Sequence, residues 1–286
     1  MAFDFNAIRA QREKWAAQET KGQRFNVPRE GTDPVDVILY RPVKSEGRLP
    51  VLFNMHGGAW IGGDAVLMES FCQKLADEIP AFIVNVNYKK ADVHPFPYAL
   101  IEVADTVKYF AANADEYGID PAKMAVGGHS AGAQIAAGAA MKLKEDGIKL
   151  AAQMLVYPCT DMTPETEDGL MAMIQALMFP DGDYKHRWAS MALASDEALE
   201  GLCPAIFIEC GLDELKPMGI RYAKRLIGAA VPVKVKEYPK ALHGFLEINR
   251  PEYDQNDPRI TPEQAEYCRD CEKYLINELR ACFAEV

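Results

Sequence analysis

A serine sits between two glycines at Gly128-His129-Ser130-Ala131-Gly132, where the apolar run Met124–Gly128 gives way at once to the alanine-rich stretch Ala131–Lys144. A G-x-S-x-G segment at a strand-to-helix junction makes a very tight turn. Small residues two before and two after the serine let strand and helix approach, and the turn lifts the hydroxyl above the sheet edge. The helix N-terminus then faces the hydroxyl, so its free N–H groups and dipole favour negative charge developing there. Nucleophilic attack on an acyl carbon is the chemistry that such a serine suits.

That chemistry needs donors for an oxyanion. Backbone N–H groups are available in His56-Gly57-Gly58-Ala59-Trp60, directly after the apolar run Val51–Met55. Losing one such donor typically costs about 3–4 kcal/mol of barrier. Gly58 and Ala59 are the first choices and Gly57 the next, joined by the N–H of Ala131 after the serine. His56 reads as a brace for the loop rather than a group acting on substrate.

It also needs a base within hydrogen-bond reach of the serine. Of the five histidines, His56 belongs to the glycine loop, and His129 adjoins Ser130 on a turn where neighbouring side chains diverge. His94 precedes Pro95 in a loop after the strand-like Ala81–Tyr88, and His186 lies in the stretch expected to form a cap. His243 follows the strand-like Val233–Tyr238 and is the predicted base. Asp213, just beyond Ala205–Cys210, is the predicted orienting acid, with Asp161 the rival and Glu214 a weaker one. The order Ser130, Asp213, His243 is that of the α/β-hydrolases.

The elements that must position these residues are legible as alternating patterns. Val35–Tyr40, Pro50–Met55, Ala81–Tyr88, Met124–Gly128, Ala152–Tyr157, Ala205–Cys210 and Val233–Tyr238 read as strands. Ser70–Glu78, Ala99–Tyr117, Ala131–Lys144 and Gly219–Ala229 read as helices. Short apolar strands alternating with amphipathic helices predict an α/β fold, a mostly parallel central sheet with helices on both faces. In such sheets the chemistry gathers in loops at the carboxyl ends of the strands. Two stretches stand outside the alternation: residues 1–30, with a short helix around Ala7–Ala17, and the methionine-rich residues 161–203. Both are expected to form a small cap on a single domain spanning residues 1–286.

Composition narrows the partners. The chain has 286 residues, and 49% are apolar and 26% charged, enough for one sizeable core. A formal charge of −11 repels phosphate backbones and anionic lipid heads, so neither nucleic acid nor membrane is an expected partner. The N-terminus lacks a secretory pattern, and no apolar run is long enough to span a bilayer. Seven scattered cysteines fit a reducing, cytoplasmic setting. The lone Cys268-x-x-Cys271 pair belongs to a helical face that continues through Leu275, Leu279 and Cys282, where cysteine acts as a small hydrophobe.

From about residue 35 to residue 250 the sequence resembles the hormone-sensitive-lipase-like esterases of the α/β-hydrolase superfamily. The resemblance rests on His56-Gly-Gly-Ala-Trp, His94-Pro-Phe-Pro, Gly128-His-Ser-Ala-Gly, Tyr157-Pro, Gly211-Leu-Asp213 and His243-Gly-Phe. It implies an α/β-hydrolase fold, a Ser-His-Asp triad working through an acyl-enzyme, and no metal or organic cofactor. Two departures stand out. The third glycine of the oxyanion loop is Ala59, followed by Trp60, and His129 replaces the aspartate usual before the nucleophile; both look like kynurenine formamidases. Trp60, His129, Met178 and Phe179 are the residues expected to contact substrate. The leading expectation is a carboxylesterase for small, short-chain esters, and the second is an amidase or formamidase. The third is a ligand-binding protein on the same scaffold, a class that tends to lose the base that His243 supplies here. The sequence leaves room for a homodimer.

Overall fold

In the computed structural model, which describes residues 4–164 and 169–286, apolar runs and helical patterns alternate much as the sequence indicates. The first half runs α1 (Phe5–Ala16), β1 (Gln23–Val27), β2 (Val35–Tyr40), β3 (Leu49–Met55), α2 (Glu69–Glu78), β4 (Phe82–Val86), α3 (Tyr98–Ala112), α4 (Ala114–Tyr117) and β5 (Ile119–His129). The second half runs α5 (Ala131–Glu145), β6 (Ala152–Val156), α6 (Leu170–Met178), α7 (Asp196–Leu199), β7 (Ala205–Cys210), α8 (Lys216–Gly228), β8 (Val233–Tyr238), α9 (Phe245–Ile248) and α10 (Pro262–Ala284). Short 3-10 turns occupy Ala65–Met68 and Met191–Leu193.

The strands form one eight-stranded sheet in the order β1-β2-β4-β3-β5-β6-β7-β8. β2 runs antiparallel to both β1 and β4, and all the other pairings are parallel. Successive residues of the central strands serve two separate cores, which is why those strands show no alternation in sequence. Val51, Phe53 and Met55 of β3 face the core shared with α3, α5 and α8, whereas Leu52 faces the one shared with α2 and α10. Cys268, Cys271, Leu275, Leu279 and Cys282 are buried in that second core, the helical face expected of α10.

Register sets the site. Met55 of β3 pairs with Gly128 of β5, so the loop opening at His56 lies beside the turn carrying Ser130. Cys210 of β7 pairs with Tyr238 of β8, so the loops holding Asp213 and His243 leave the sheet side by side. Two backbone bonds tie those loops together, Gly211 N–H to Tyr238 O (2.9 Å) and Leu212 N–H to Ala241 O (3.1 Å). β8 is the edge strand and only its last residue is buried. Side chains of α10 hold it: Glu278 pairs with Lys234, and Asp270 accepts from Tyr238 Oη at 2.8 Å.

Two differences from the sequence reading have physical causes. β1 falls inside the stretch expected to be cap; its polar, mostly exposed edge position carries no apolar signal. The helix expected over Ala99–Tyr117 breaks at Asn113, whose side chain bonds back to Tyr109 O at 2.8 Å, and ends at Gly118 in the left-handed region. Of the expected cap segments, residues 1–3 and 165–168 lie outside the described residues.

One buried acid gives the fold a measurable pH dependence. Glu209 in β7 is 1% exposed, and a Cβ at Gly219 of α8 would collide with its carboxylate. Burial, with Asp213 and Glu237 adding and Lys216 opposing, pushes it from 4.5 up to about 8. The folded state therefore holds a proton that the unfolded chain releases from about pH 4.5, so this group's contribution is lost as pH rises from about 4.5 towards 8. Glu209→Gln is expected to flatten that decline by an amount on the order of a few kcal/mol. Denaturant unfolding of both proteins at either end of the window measures it, and parallel declines would rule it out.

Candidate active site

Ser130 stands between β5 and α5 with φ of +53°, in the left-handed region that a side chain rarely adopts. The two flanking glycines make that turn possible by close approach. A Cβ on Gly128 would collide with the backbone of Gly132, and one on Gly132 would collide with Met55 O. Val156 O of β6 accepts the Ser130 N–H at 2.9 Å, which anchors the turn to the sheet.

His243 Nε2 lies 2.8 Å from Ser130 Oγ, and its Nδ1 lies 2.6 Å from Asp213 Oδ2. The Leu215 N–H donates to the other Asp213 oxygen, Oδ1, at 2.9 Å, fixing the carboxylate plane. The rival Asp161 is occupied elsewhere, paired with Arg221 Nη1 at 2.7 Å. His94 stacks on Tyr98, and His186 packs against Phe96 and Trp188, both removed from the serine.

The N–H groups of Gly58, Ala59 and Ala131 have no acceptor among the described residues. A trans peptide points its N–H opposite its C=O, so each donor is aimed by the carbonyl one residue earlier. Ser130 O accepts from Ala133 and Gln134 of α5 (3.0 and 3.2 Å), which turns the Ala131 N–H out of the helix. Gly58 O accepts from Ile61 and Gly62 (3.2 and 2.7 Å), and Gly57 O lies 2.6 Å from His56 Nδ1. Gly57 itself lines the cavity of Ser130, alongside Gly58 and Ala59.

A family model described as the alpha/beta hydrolase fold matches residues 52–247, well over half the chain. The chain belongs to the α/β-hydrolase family. The carboxylesterase NlhH of Mycobacterium tuberculosis is 29% identical over 243 residues, covering 80% of this chain and 76% of the relative. Esterase LipI of the same organism is also 29% identical, over 228 residues, covering 74% and 71%. Among solved structures, a hyperthermophilic esterase from the archaeon Pyrobaculum calidifontis superposes with a TM-score of 0.83 at 27% identity, covering 98% of this chain and 94% of that one.

The hydrolase pocket corrects one sequence expectation outright. His129 does not line it. The last residue of β5 is 0% exposed, meets the rings of Phe71 and Tyr157 edge-on, and has Nδ1 3.5 Å from Glu247 Oε1 behind the cavity wall. Burial, with Arg250 nearby, holds its pKa well below 6.5, so the ring is a neutral core group. Trp60 and Met178 do share a cavity, but it is a neighbouring apolar one walled also by Phe96 and Leu100. Trp60 Nε1 donates to Gln134 Oε1 at 2.9 Å. Phe179 lies outside that cavity, in a groove on the far side of Phe96 with Pro180 and His186.

The residues closing the Ser130 cavity include several that sequence reasoning missed: Trp15 of α1, Leu67, Glu247, Ile248, Tyr253 and Arg259. Tyr253 and Arg259 come from a connection with no periodicity to mark it. Glu247 shows a signal only in retrospect, four residues after His243 and on the same turn. Tyr157 Oη donates to Glu247 Oε2, and burial holds that carboxyl above the ordinary range while the tyrosine hydroxyl, His243 and Arg250 oppose it. The Tyr157 ring packs 4.9 Å from that of His243, filling the space beneath the base.

Proposed function

We propose that this hydrolase cleaves small carboxylic esters with short acyl chains, using Ser130 as nucleophile, His243 as base and Asp213 as its orienting acid. The observation that carries the reading is the continuous chain Ser130 Oγ, His243 Nε2 and Nδ1, Asp213 Oδ2, at 2.8 and 2.6 Å. Ser130 attacks the acyl carbon as His243 takes its proton, and Asp213 stabilises the imidazolium. Charge on the carbonyl oxygen is met by the N–H groups of Gly58, Ala59 and Ala131. His243 then protonates the leaving alcohol, and water repeats the cycle on the acyl-enzyme.

The names of the two mycobacterial relatives and of the archaeal structure support ester over amide. So does the burial of His129, because one of the two departures that suggested a formamidase is a core residue, although the other, Ala59, lines the Ser130 cavity. Helix α1 and residues 169–203 serve as the cap in this reading. Trp15 of α1 closes the Ser130 cavity, and α1 is held down by Arg9 and Arg12 on Asp92 at 2.8 and 2.6 Å. Met178 of α6 walls the neighbouring cavity, where the acyl chain would extend. A cytoplasmic setting is part of the same proposal and rests on the seven cysteines scattered through the sequence.

The experiment is a panel of nitrophenyl esters of increasing acyl length run beside N-formylkynurenine. Turnover is expected to peak at short acyl chains and to fall by at least about tenfold for long ones, each tenfold being about 1.4 kcal/mol of transition-state binding. A preference for the formamide would overturn the ester reading, and a peak at long chains would overturn its short-chain part.

A further inference from the structure

His56 is completely buried, yet both ring nitrogens have partners, and together they determine where its proton sits. Nδ1 lies 2.6 Å from Gly57 O. A carbonyl can only accept, so Nδ1 carries the hydrogen. Burial, helped by the charge of Lys90, holds the ring pKa well below 6.5, so the ring is neutral and Nε2 offers a lone pair. The donor to that lone pair is Lys90 Nζ at 3.0 Å.

We propose that Lys90 is a positioning residue for this hydrolase: by donating to His56 Nε2 it fixes the Nδ1–H tautomer that grips Gly57 O and so aims the Gly58 N–H at the oxyanion. The inference rests on the functional reading above for its consequence in catalysis, though not for the contact itself. An ammonium has three N–H bonds, and Lys90 has three acceptors: His56 Nε2, Tyr88 O at 2.6 Å and Asn87 Oδ1 at 3.2 Å. All three come from the β3 and β4 ends that carry the oxyanion loop, so the group is clamped in place. Burial draws its pKa from 10.5 down to about 7, with Asp64, Glu102 and Asp36 favouring the charge and Arg12 opposing it; the neutral amine still carries N–H bonds to donate to His56 Nε2. The loop is shaped for the contact. Gly63 has φ of +75°, and a Cβ there would collide with Gly57 O and crowd His56 Nδ1. Tyr88 completes the seat, its ring stacked 4.5 Å from the imidazole and its hydroxyl donating to His56 O at 3.1 Å.

Without Lys90, Nε2 becomes a buried acceptor lacking a donor. The other tautomer would then place a lone pair against Gly57 O and release the peptide that orients Gly58. Lys90→Met keeps most of the stem and removes the donor. Its kcat is expected to fall by about 10- to 100-fold, below the loss for deleting an oxyanion donor outright, with KM within about threefold of wild type. Affinity for a trifluoromethyl ketone, whose tetrahedral adduct places an oxyanion at the same spot, should fall by a matching factor. Nitrogen-15 NMR should show His56 as a neutral Nδ1–H ring in the wild type and a changed tautomer population in the variant. A folded Lys90→Met with unchanged kcat and ketone affinity overturns the proposal. So does a fall in kcat with ketone affinity and tautomer unmoved, or an Nε2–H ring in the wild type. Should Lys90→Met not fold, Lys90→Gln, which retains an N–H donor, takes its place: partial retention of kcat and of the Nδ1–H ring supports the role. A Gln variant with full activity and a lost tautomer removes it. If the wild type and Ser130→Ala hydrolyse esters equally, the functional reading fails, while the His56 spectrum still decides the Lys90 contact.

Discussion

Ser130→Ala is expected to lower kcat/KM on a short-chain ester by roughly three to six orders of magnitude, the range for losing a triad nucleophile while binding and oxyanion donors remain. The replacement is clean for a structural reason. Ser130 holds a φ of +53°, which alanine tolerates no better than serine, so turn strain is essentially unchanged. The hydroxyl accounts for one contact, to His243 Nε2, and its loss leaves the His243–Asp213 pair in place. Steady-state turnover, with a fluorophosphonate probe as a second readout, checks the result. Wild type should label at one site and the variant not at all. Turnover retained within about tenfold of wild type would remove Ser130 from the mechanism.

Asp213→Asn is expected to cost about 10⁴-fold in kcat with the fold intact. Each carboxylate oxygen of Asp213 has a donor: Oδ1 the Leu215 N–H and Oδ2 the His243 Nδ1. An asparagine has one acceptor oxygen for these two. With that oxygen on Leu215, the amide N–H₂ faces Nδ1 and draws its lone pair. The ring proton then sits on Nε2, pointing at Ser130, and His243 can no longer take the serine's proton. Measured kcat and thermal stability together test this, because kcat should collapse while stability moves little. A variant within about tenfold of wild type would instead point to another carboxylate as the orienting group.

How much of this was legible follows from where each residue sits. Ser130 and Asp213 each come just after a short apolar run, and such runs are read easily because the sheet buries both faces of the ends of β5 and β7; His243 follows β8, where valine alternates with lysine. β1 escaped notice because its residues are polar and exposed at the edge. His129 was expected to contact substrate, but its ring is packed against Phe71 and Tyr157. Which neighbours a buried side chain meets is three-dimensional information which a motif does not carry. Trp15 in α1 and Arg259 in the connection before α10 reach the cavity from far along the chain, and only packing brings them there. The same holds for Lys90, an unremarkable lysine in sequence whose three acceptors are assembled only by the fold.

The place of β8 in the sheet has a kinetic meaning. The strand that delivers His243 has a neighbour on one side only, and its outer face is held by the side chains of α10 rather than by a second ladder. Edge segments of this kind open locally at lower free energy than the central strands. Ser130 and the loop opening at His56 hang on the interior strands β5 and β3 and would stay assembled through such an opening. His243 is thus carried on an edge strand while Ser130 is carried on an interior one. Inactivation on mild heating would then begin as a reversible departure of the base, well before the core melts.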